Sequence, residues 1–297
     1  MRVPNVTIST GVIQRLNRLK LRQNLLNDEI ATGQKISSAS DDPQAAVRVM
    51  RLRSEKMALQ QYSQNVDKLT GLAQASFASL SRLKALSDRS GELAASASGI
   101  ASEAERKAYA TELNEMIKSA IEQVNTKFNG DYIFSGQKTD ASSFTAAGTA
   151  AKPTAVTFDN TGGDMTKVRV SDTLEISAGT SQAENSQLAT FINNLIALRD
   201  AMESNSSSGI ASARTALISS EDDIVNAISQ NGAVQTRLEA LKQQNDSRFG
   251  DVEQLVSREV DADLAQSMVK LSQTQTAYQA AVQSGAQIMK LSLLDYV

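Results

Sequence analysis

Three groups of carboxylates lie close enough together to suggest acid–base or metal chemistry: Asp41-Asp42, Glu221-Asp222-Asp223, and Asp261 with Asp263. Paired carboxylates act as general acid and base when their surroundings push their pKa values apart, and as cation ligands when further donors complete a shell. The sequence supplies neither completion. It contains no His and no Cys, which removes imidazole bases, thiolate nucleophiles and the usual zinc ligands. Thr161-Gly-Gly-Asp164 is glycine-rich but lacks the Lys-Ser/Thr pair of a phosphate-binding loop. The carboxylates are therefore read as helix caps and solvated faces, and the sequence predicts no catalytic residue, no metal site, no cofactor and no enzyme.

Composition points to a different kind of molecule. In 297 residues only 4% are aromatic, Trp is absent, and the three prolines are Pro4, Pro43 and Pro153. Such a chain favours long helices around a narrow core. Without Cys the redox compartment stays open. Residues 1–60 carry ten basic and five acidic side chains, while residues 237–297 carry six and eight. The two ends are compatible neighbours. The basic N-terminal segment lacks interleaved aromatic residues and the net charge is −3, so nucleic acid is not an expected partner. No run approaches the length of a membrane span, and Met1 to Thr10 lacks the apolar core of a secretory signal.

Helical periodicity covers most of the chain. Ile8, Val12, Leu16, Leu19, Gln23, Leu26 and Ile30 form a heptad-type seam that Gly33 interrupts. Asp42 and Pro43 suit the N-cap and first position of a second helix, running to about residue 98, with Leu59, Tyr62, Val66, Leu69, Ala73, Ser76, Leu80 and Leu83 on one face. Ser102-Glu-Ala-Glu105 is a capping box opening a third helix, with Leu113, Ile117, Ala120, Val124 and Phe128 on one side and a stop near Asn129-Gly130. Tyr132–Phe134, Ala155–Phe158, Val168–Val170 and Thr173–Ile176 read as short strands. Helix returns after Ser181-Gln-Ala-Glu184, then again from Ile210, passing Asn231-Gly232 without a break.

The stretch from Arg237 to Val297 reads as one continuous helix with apolar residues at Leu238, Leu241, Val252, Val256, Val260, Leu264, Met268, Leu271, Tyr278, Val282 and Met289. Gln266, Gln273, Gln275, Gln279, Gln283 and Gln287 lie between its last apolar positions, so the seam is thin and needs a partner. The predicted fold is mainly α: an elongated antiparallel helical coiled-coil trunk formed by both chain ends, with a small β-rich central insert. The expected divisions are an N-terminal coiled-coil arm over 1–42, an outgoing trunk half over 43–136, the insert over 137–180, a returning half over 181–263, and a C-terminal arm over 264–297.

Particular stretches add a resemblance. Ile30-Ala-Thr-Gly-Gln-Lys-Ile-Ser-Ser-Ala-Ser-Asp-Asp-Pro43 resembles the N-terminal signature of bacterial flagellins and flagellar hook-associated proteins, and Gln230-Asn-Gly-Ala-Val-Gln-Thr-Arg-Leu-Glu239 is similar to their return-helix segment. Asn125-Thr-Lys-Phe-Asn-Gly-Asp-Tyr-Ile-Phe-Ser-Gly136 and Leu291-Ser-Leu-Leu-Asp-Tyr-Val297 look like the hook–filament junction members, the type 3 hook-associated proteins. The resemblance covers both helical ends and little of residues 137–180.

That resemblance implies a structural axial protein of the flagellum, outside the cell and exported without a cleaved signal. Its terminal helices would self-assemble into a junction ring, with a hook-associated protein on the hook side, flagellin on the filament side and an export chaperone at the C-terminal region. The inner-coil residues would be Ile13, Leu16, Leu19, Leu26, Ile30, Leu264, Met268, Leu271, Tyr278, Val282, Met289 and Leu294. The ends would order fully only among neighbours, and substitutions or deletions within 140–178 would be tolerated for assembly. Flagellin itself is the alternative reading. A helical signalling module is a more distant one, which would require a membrane span or signalling hairpin.

Overall fold

A computed structural model of the chain describes residues 5–36, 38–99 and 101–294, with side chains between Thr10 and Gln287. Among these residues the fold is mainly α. The order is α1 (Asn5–Thr32), α2 (Pro43–Ser98), α3 (Glu103–Val124), β1 (Lys127–Phe128), β2 (Asp131–Tyr132), β3 (Phe144–Gly148), β4 (Pro153–Phe158), β5 (Val168–Arg169), β6 (Glu175–Ile176), α4 (Gln182–Glu203), α5 (Ser207–Val260) and α6 (Leu264–Leu294). The chain divides into two units, one from Met1–Ala58 with Arg248–Val297 and the other Leu59–Ser247.

In the Leu59–Ser247 unit, heptad spacing becomes packing. Leu80 and Leu83 of α2, Leu113 and Ile117 of α3, Leu188, Phe191, Ile192 and Leu195 of α4, and Leu217 and Ile224 of α5 are buried in one cluster. Both Ser-x-x-Glu boxes close as the motif requires. The Ser102 and Ser181 hydroxyls accept from the Glu105 and Glu184 amides, and each Glu reaches back to the amide of its serine at 2.6 and 2.7 Å. Reciprocal capping satisfies donors that a helix start leaves open.

The β segments form three separate antiparallel pairs, β1–β2, β3–β4 and β5–β6. Asn129 and Gly130, expected as a helix stop, are instead a hairpin turn between Phe128 and Asp131, and α3 has already ended at Val124. Their φ values of 53° and 97° are what a two-residue primed turn needs at both central positions. Phe128 thus leaves the helix and lays its ring beside Gly71, where an added Cβ would stand 2.8 Å from the ring tip. The strand β3 has no counterpart in the sequence reading, because Phe144-Thr-Ala-Ala-Gly148 has only one bulky apolar residue.

In β3–β4 the Phe144 and Phe158 rings lie 5.0 Å apart, and Phe144 and Val156 enter the helical core. The outer edge of β4 is answered by a helix side chain: Asn193 accepts from the Val156 amide through Oδ1 and donates to its carbonyl through Nδ2, both at 2.8 Å. Val170, Ile176 and Ala178 around β5–β6 form a second cluster with Val66, Leu69, Ala73 and Leu238. Buried Arg199 of α4 donates to the Pro153 carbonyl at 2.7 Å, to Asn114 Oδ1 at 3.1 Å and to Asp200 Oδ1 at 2.7 Å.

The expected single helix from Arg237 onward is two helices. α5 passes Gly232 and Gly250 without interruption but stops at Val260, and α6 starts at Leu264. At the break Asp261 bridges to Gln34, Lys35 N donates to Val260 O at 2.7 Å, and Ala262 N donates to Gly33 O at 2.9 Å. Asp263 Oδ1 accepts from Gln266 N at 3.0 Å and starts the new helix. Asp-Ala-Asp at 261–263 supplies capping oxygens instead of seam residues, and Gly33 with φ of 71° turns the chain after α1.

Candidate self-assembly interface

The unit that joins residues 1–58 to 248–297 brings the two chain ends together. The first part of α2 is tied to the last part of α5 by ion pairs: Arg48 to Glu259 at 3.0 Å, Lys56 to Glu253 at 2.6 Å and Arg248 to Glu55 at 2.6 Å. Lys56 also lies 4.8 Å above the Phe249 ring. Hydrogen bonding to Arg48 holds the Glu259 carboxyl below its ordinary value and raises the Arg48 guanidinium. Such exposed pairs fix register more than they stabilise.

α1 packs on α6. On α1 the packed face is the expected seam, with Leu26 buried and Val12, Leu16, Leu19 and Ile30 half-buried. On α6 it is a different one. The least exposed positions are Ser267, Leu271, Thr274, Tyr278, Ala281 and Gly285, spaced four and three apart, and most of them are small. Ser267 Oγ donates to Glu29 Oε1 at 2.9 Å, Thr274 bonds back to Lys270 O at 2.7 Å, and a Cβ at Gly285 would meet Val12 Cγ1 at 2.9 Å.

The larger apolar residues of α6 therefore lie to one side of its contact with α1. Leu264, Met268 and Val282 are exposed, Met268 by 56%, and so is Ile13 on α1. Leu271 and Tyr278 are half-buried and belong to both edges. Met289 and Leu294 fall within α6, but their side chains lie outside the described residues. Among the described side chains, the expected inner-coil residues are thus split between an intrachain seam and an edge without a described partner. The sequence reading missed Ser267, Thr274 and Gly285, whose signal was small size at heptad spacing.

The carboxylate groups singled out in the sequence are largely engaged in helix caps, turns and ion pairs. Asp42 Oδ1 accepts from the Gln44 and Ala45 amides at 3.0 Å ahead of Pro43, and Asp41 Oδ2 accepts from Ser38 N at 2.8 Å. Glu221 pairs with Lys84 at 3.0 Å and Asp223 accepts from Gln187 at 2.9 Å. Among the described residues no group of His, Cys, Asp or Glu is placed to hold a metal ion, and no helix is long and apolar enough to cross a membrane.

Comparison with known families matches residues 8–139 to the bacterial flagellin N-terminal helical region. The matched segment is the first part of the chain. It contains α1, α2, α3 and the β1–β2 hairpin. The fold as a whole is shared with solved structures. A protein of Vibrio parahaemolyticus assigned as a flagellar hook-associated protein is 19% identical, with 74% of this chain and all of that one covered at a TM-score of 0.65. FlgL of Bacillus cereus is 18% identical, covering 72% of this chain and all of that one at 0.59. FlgL of Xanthomonas campestris is 12% identical, covering 70% and 99% at 0.55. At these identities the likeness is one of fold. A comparison with curated protein sequences gives no match.

Proposed function

We propose that this chain is a structural, non-catalytic axial protein of the bacterial flagellum that forms the hook–filament junction by self-assembly of α1 and α6. The observation that carries the reading is the fold shared with hook-associated proteins over essentially their whole length, in a chain whose residues 8–139 match the flagellin N-terminal helical region. The unpaired edge of α6 supports the assembly mode. A helix that buries Ser267, Thr274 and Gly285 against its own chain while exposing Leu264, Met268 and Val282 has its stronger apolar edge available to neighbours. In the full reading the copies close into a ring between a hook-associated protein and flagellin. They leave the cell without a cleaved signal, escorted by a chaperone that holds the C-terminal region.

Complementation tests this. The chain is expressed in one strain lacking its junction protein and in another lacking flagellin. Restored motility in the first strain alone is the expected result. Filament formation in the second makes the chain a flagellin, and rescue of neither strain overturns the axial reading.

A further inference from the structure

Two exposed helix faces outside α1 and α6 have complementary character. Near the start of α2, Val47, Met50, Ser54 and Met57 repeat at three and four residues on the side away from buried Ala45, Val49 and Leu59. Met50 and Met57 are 68% and 65% exposed. Arg51 stands on this face, exposed and in no ion pair with a described residue. On α5, Ile218, Asp222 and Val225 repeat at four and three on the side away from buried Leu217, Ile224 and Ala227. Asp222 is exposed and likewise unpaired, whereas its neighbours Glu221 and Asp223 are taken by Lys84 and Gln187.

We propose that these faces are the two halves of one interface between copies, the α2 face of one chain docking on the α5 face of the next. The inference rests on the self-assembly reading above and adds a contact distinct from the α1–α6 edge. Each face has an apolar residue on either side of one unpaired charge, and the charges are opposite. Laid antiparallel, Arg51 meets Asp222, Val47 falls beside Val225, and Met57 falls beside Ile218. The occupant is a second copy because both complementary partners are encoded in this chain. Two different patches joined in this way make a heterologous contact, which propagates around a ring or along a helix instead of stopping at a dimer.

The chain has no native Cys, so thiol chemistry tests the pairing cleanly. Full-length Val47→Cys, Val225→Cys and the double variant are expressed in the complemented junction strain, and detached flagella are oxidised and run without reductant. The expected result is a ladder of dimers and higher species from the double variant only, since a disulfide needs Cα atoms within about 7 Å. Arg51→Glu should weaken association of the purified chain about tenfold, and adding Asp222→Arg should restore it. These positions are exposed, and unchanged melting of each variant verifies folding. Dimers from either single variant, an intrachain link without a ladder, a link to a different protein, or no recovery in the charge swap each overturns the pairing. Motility without the ladder defeats this interface and leaves the junction function standing; failure of the unmodified chain to restore motility defeats both.

Discussion

Ser267 on α6 donates its hydroxyl to Glu29 on α1 at 2.9 Å, so the two chain ends meet through a hydrogen bond where a coiled coil would ordinarily set apolar knobs. Removing it should be mild, because half-exposed Glu29 can turn to water. Ser267→Ala should lower the stability of the α1–α6 pair by about 1 kcal/mol. Ser267→Leu should do more harm, about 1–3 kcal/mol, by forcing bulk into a seam built for small residues. Limited proteolysis of the terminal helices reads both. Equal protection in the leucine variant and the parent would mean the seam is not close-packed.

Leu271 belongs to both edges of α6. Leu271→Asp should therefore abolish incorporation into flagella while leaving the melting of the Leu59–Ser247 unit unchanged, since a charge in either seam lacks a partner. Normal incorporation in a motility assay would remove Leu271 from the interface.

Arg199 has its guanidinium buried and shared between the Pro153 carbonyl, Asn114 and Asp200. Arg199→Ala leaves these oxygens without a donor and opens a void, and should destabilise by about 3–5 kcal/mol in denaturant titration. Arg199→Met, which keeps much of the volume, should lose less. A near-neutral alanine variant would show that water replaces the guanidinium.

Acid should loosen the start of α3 and the α2–α5 ion pairs. Hydrogen bonds from Ser102 lower the Glu105 pKa, and hydrogen bonding to Arg48 lowers that of Glu259, each from 4.5. A carboxyl depressed in the fold contributes stability above its unfolded pKa, and that contribution is lost as pH falls through the folded value. Melting temperature should therefore fall on going from about pH 5 to about pH 3, and Glu105→Gln should flatten that dependence. An unchanged slope in the glutamine variant would assign the acid response to other carboxylates.

Removal of residues 140–178 should unfold the Leu59–Ser247 unit, against the expectation that changes there are tolerated for assembly. The deletion withdraws Phe144, Val156, Val170 and Ile176 from the two buried clusters, each worth about 1.5–3 kcal/mol of apolar burial. Calorimetry of the deleted chain tests this, and a cooperative transition near that of the parent would contradict it.

What the sequence made legible was whatever depended on local pattern. Leu59, Tyr62, Val66, Leu69, Ala73, Ser76, Leu80 and Leu83 share one face by spacing alone, and all but half-buried Tyr62 are buried. The two capping boxes were readable because both partners sit within four residues. Features set by distant partners were not. The helix break at 261–263 depends on backbone pairing with Gly33 to Lys35, more than two hundred residues earlier. Asn129-Gly130 carries the same signal as a helix stop or as a hairpin turn, and only the pairing of Phe128 with Asp131 distinguishes them. Size pointed to the largest residues of α6 as its seam, whereas close approach to α1 brought in Ser267, Thr274 and Gly285 beside Leu271 and Tyr278.

The amide of Asn193, holding both polar groups of Val156, has a consequence for life in a crowded array. With its N–H and C=O already taken, Val156 offers no ladder hydrogen bonds to an added strand at the middle of β4. In the proposed assembly, where copies would lie at very high local concentration, this point of β4 is closed to edge-to-edge strand pairing.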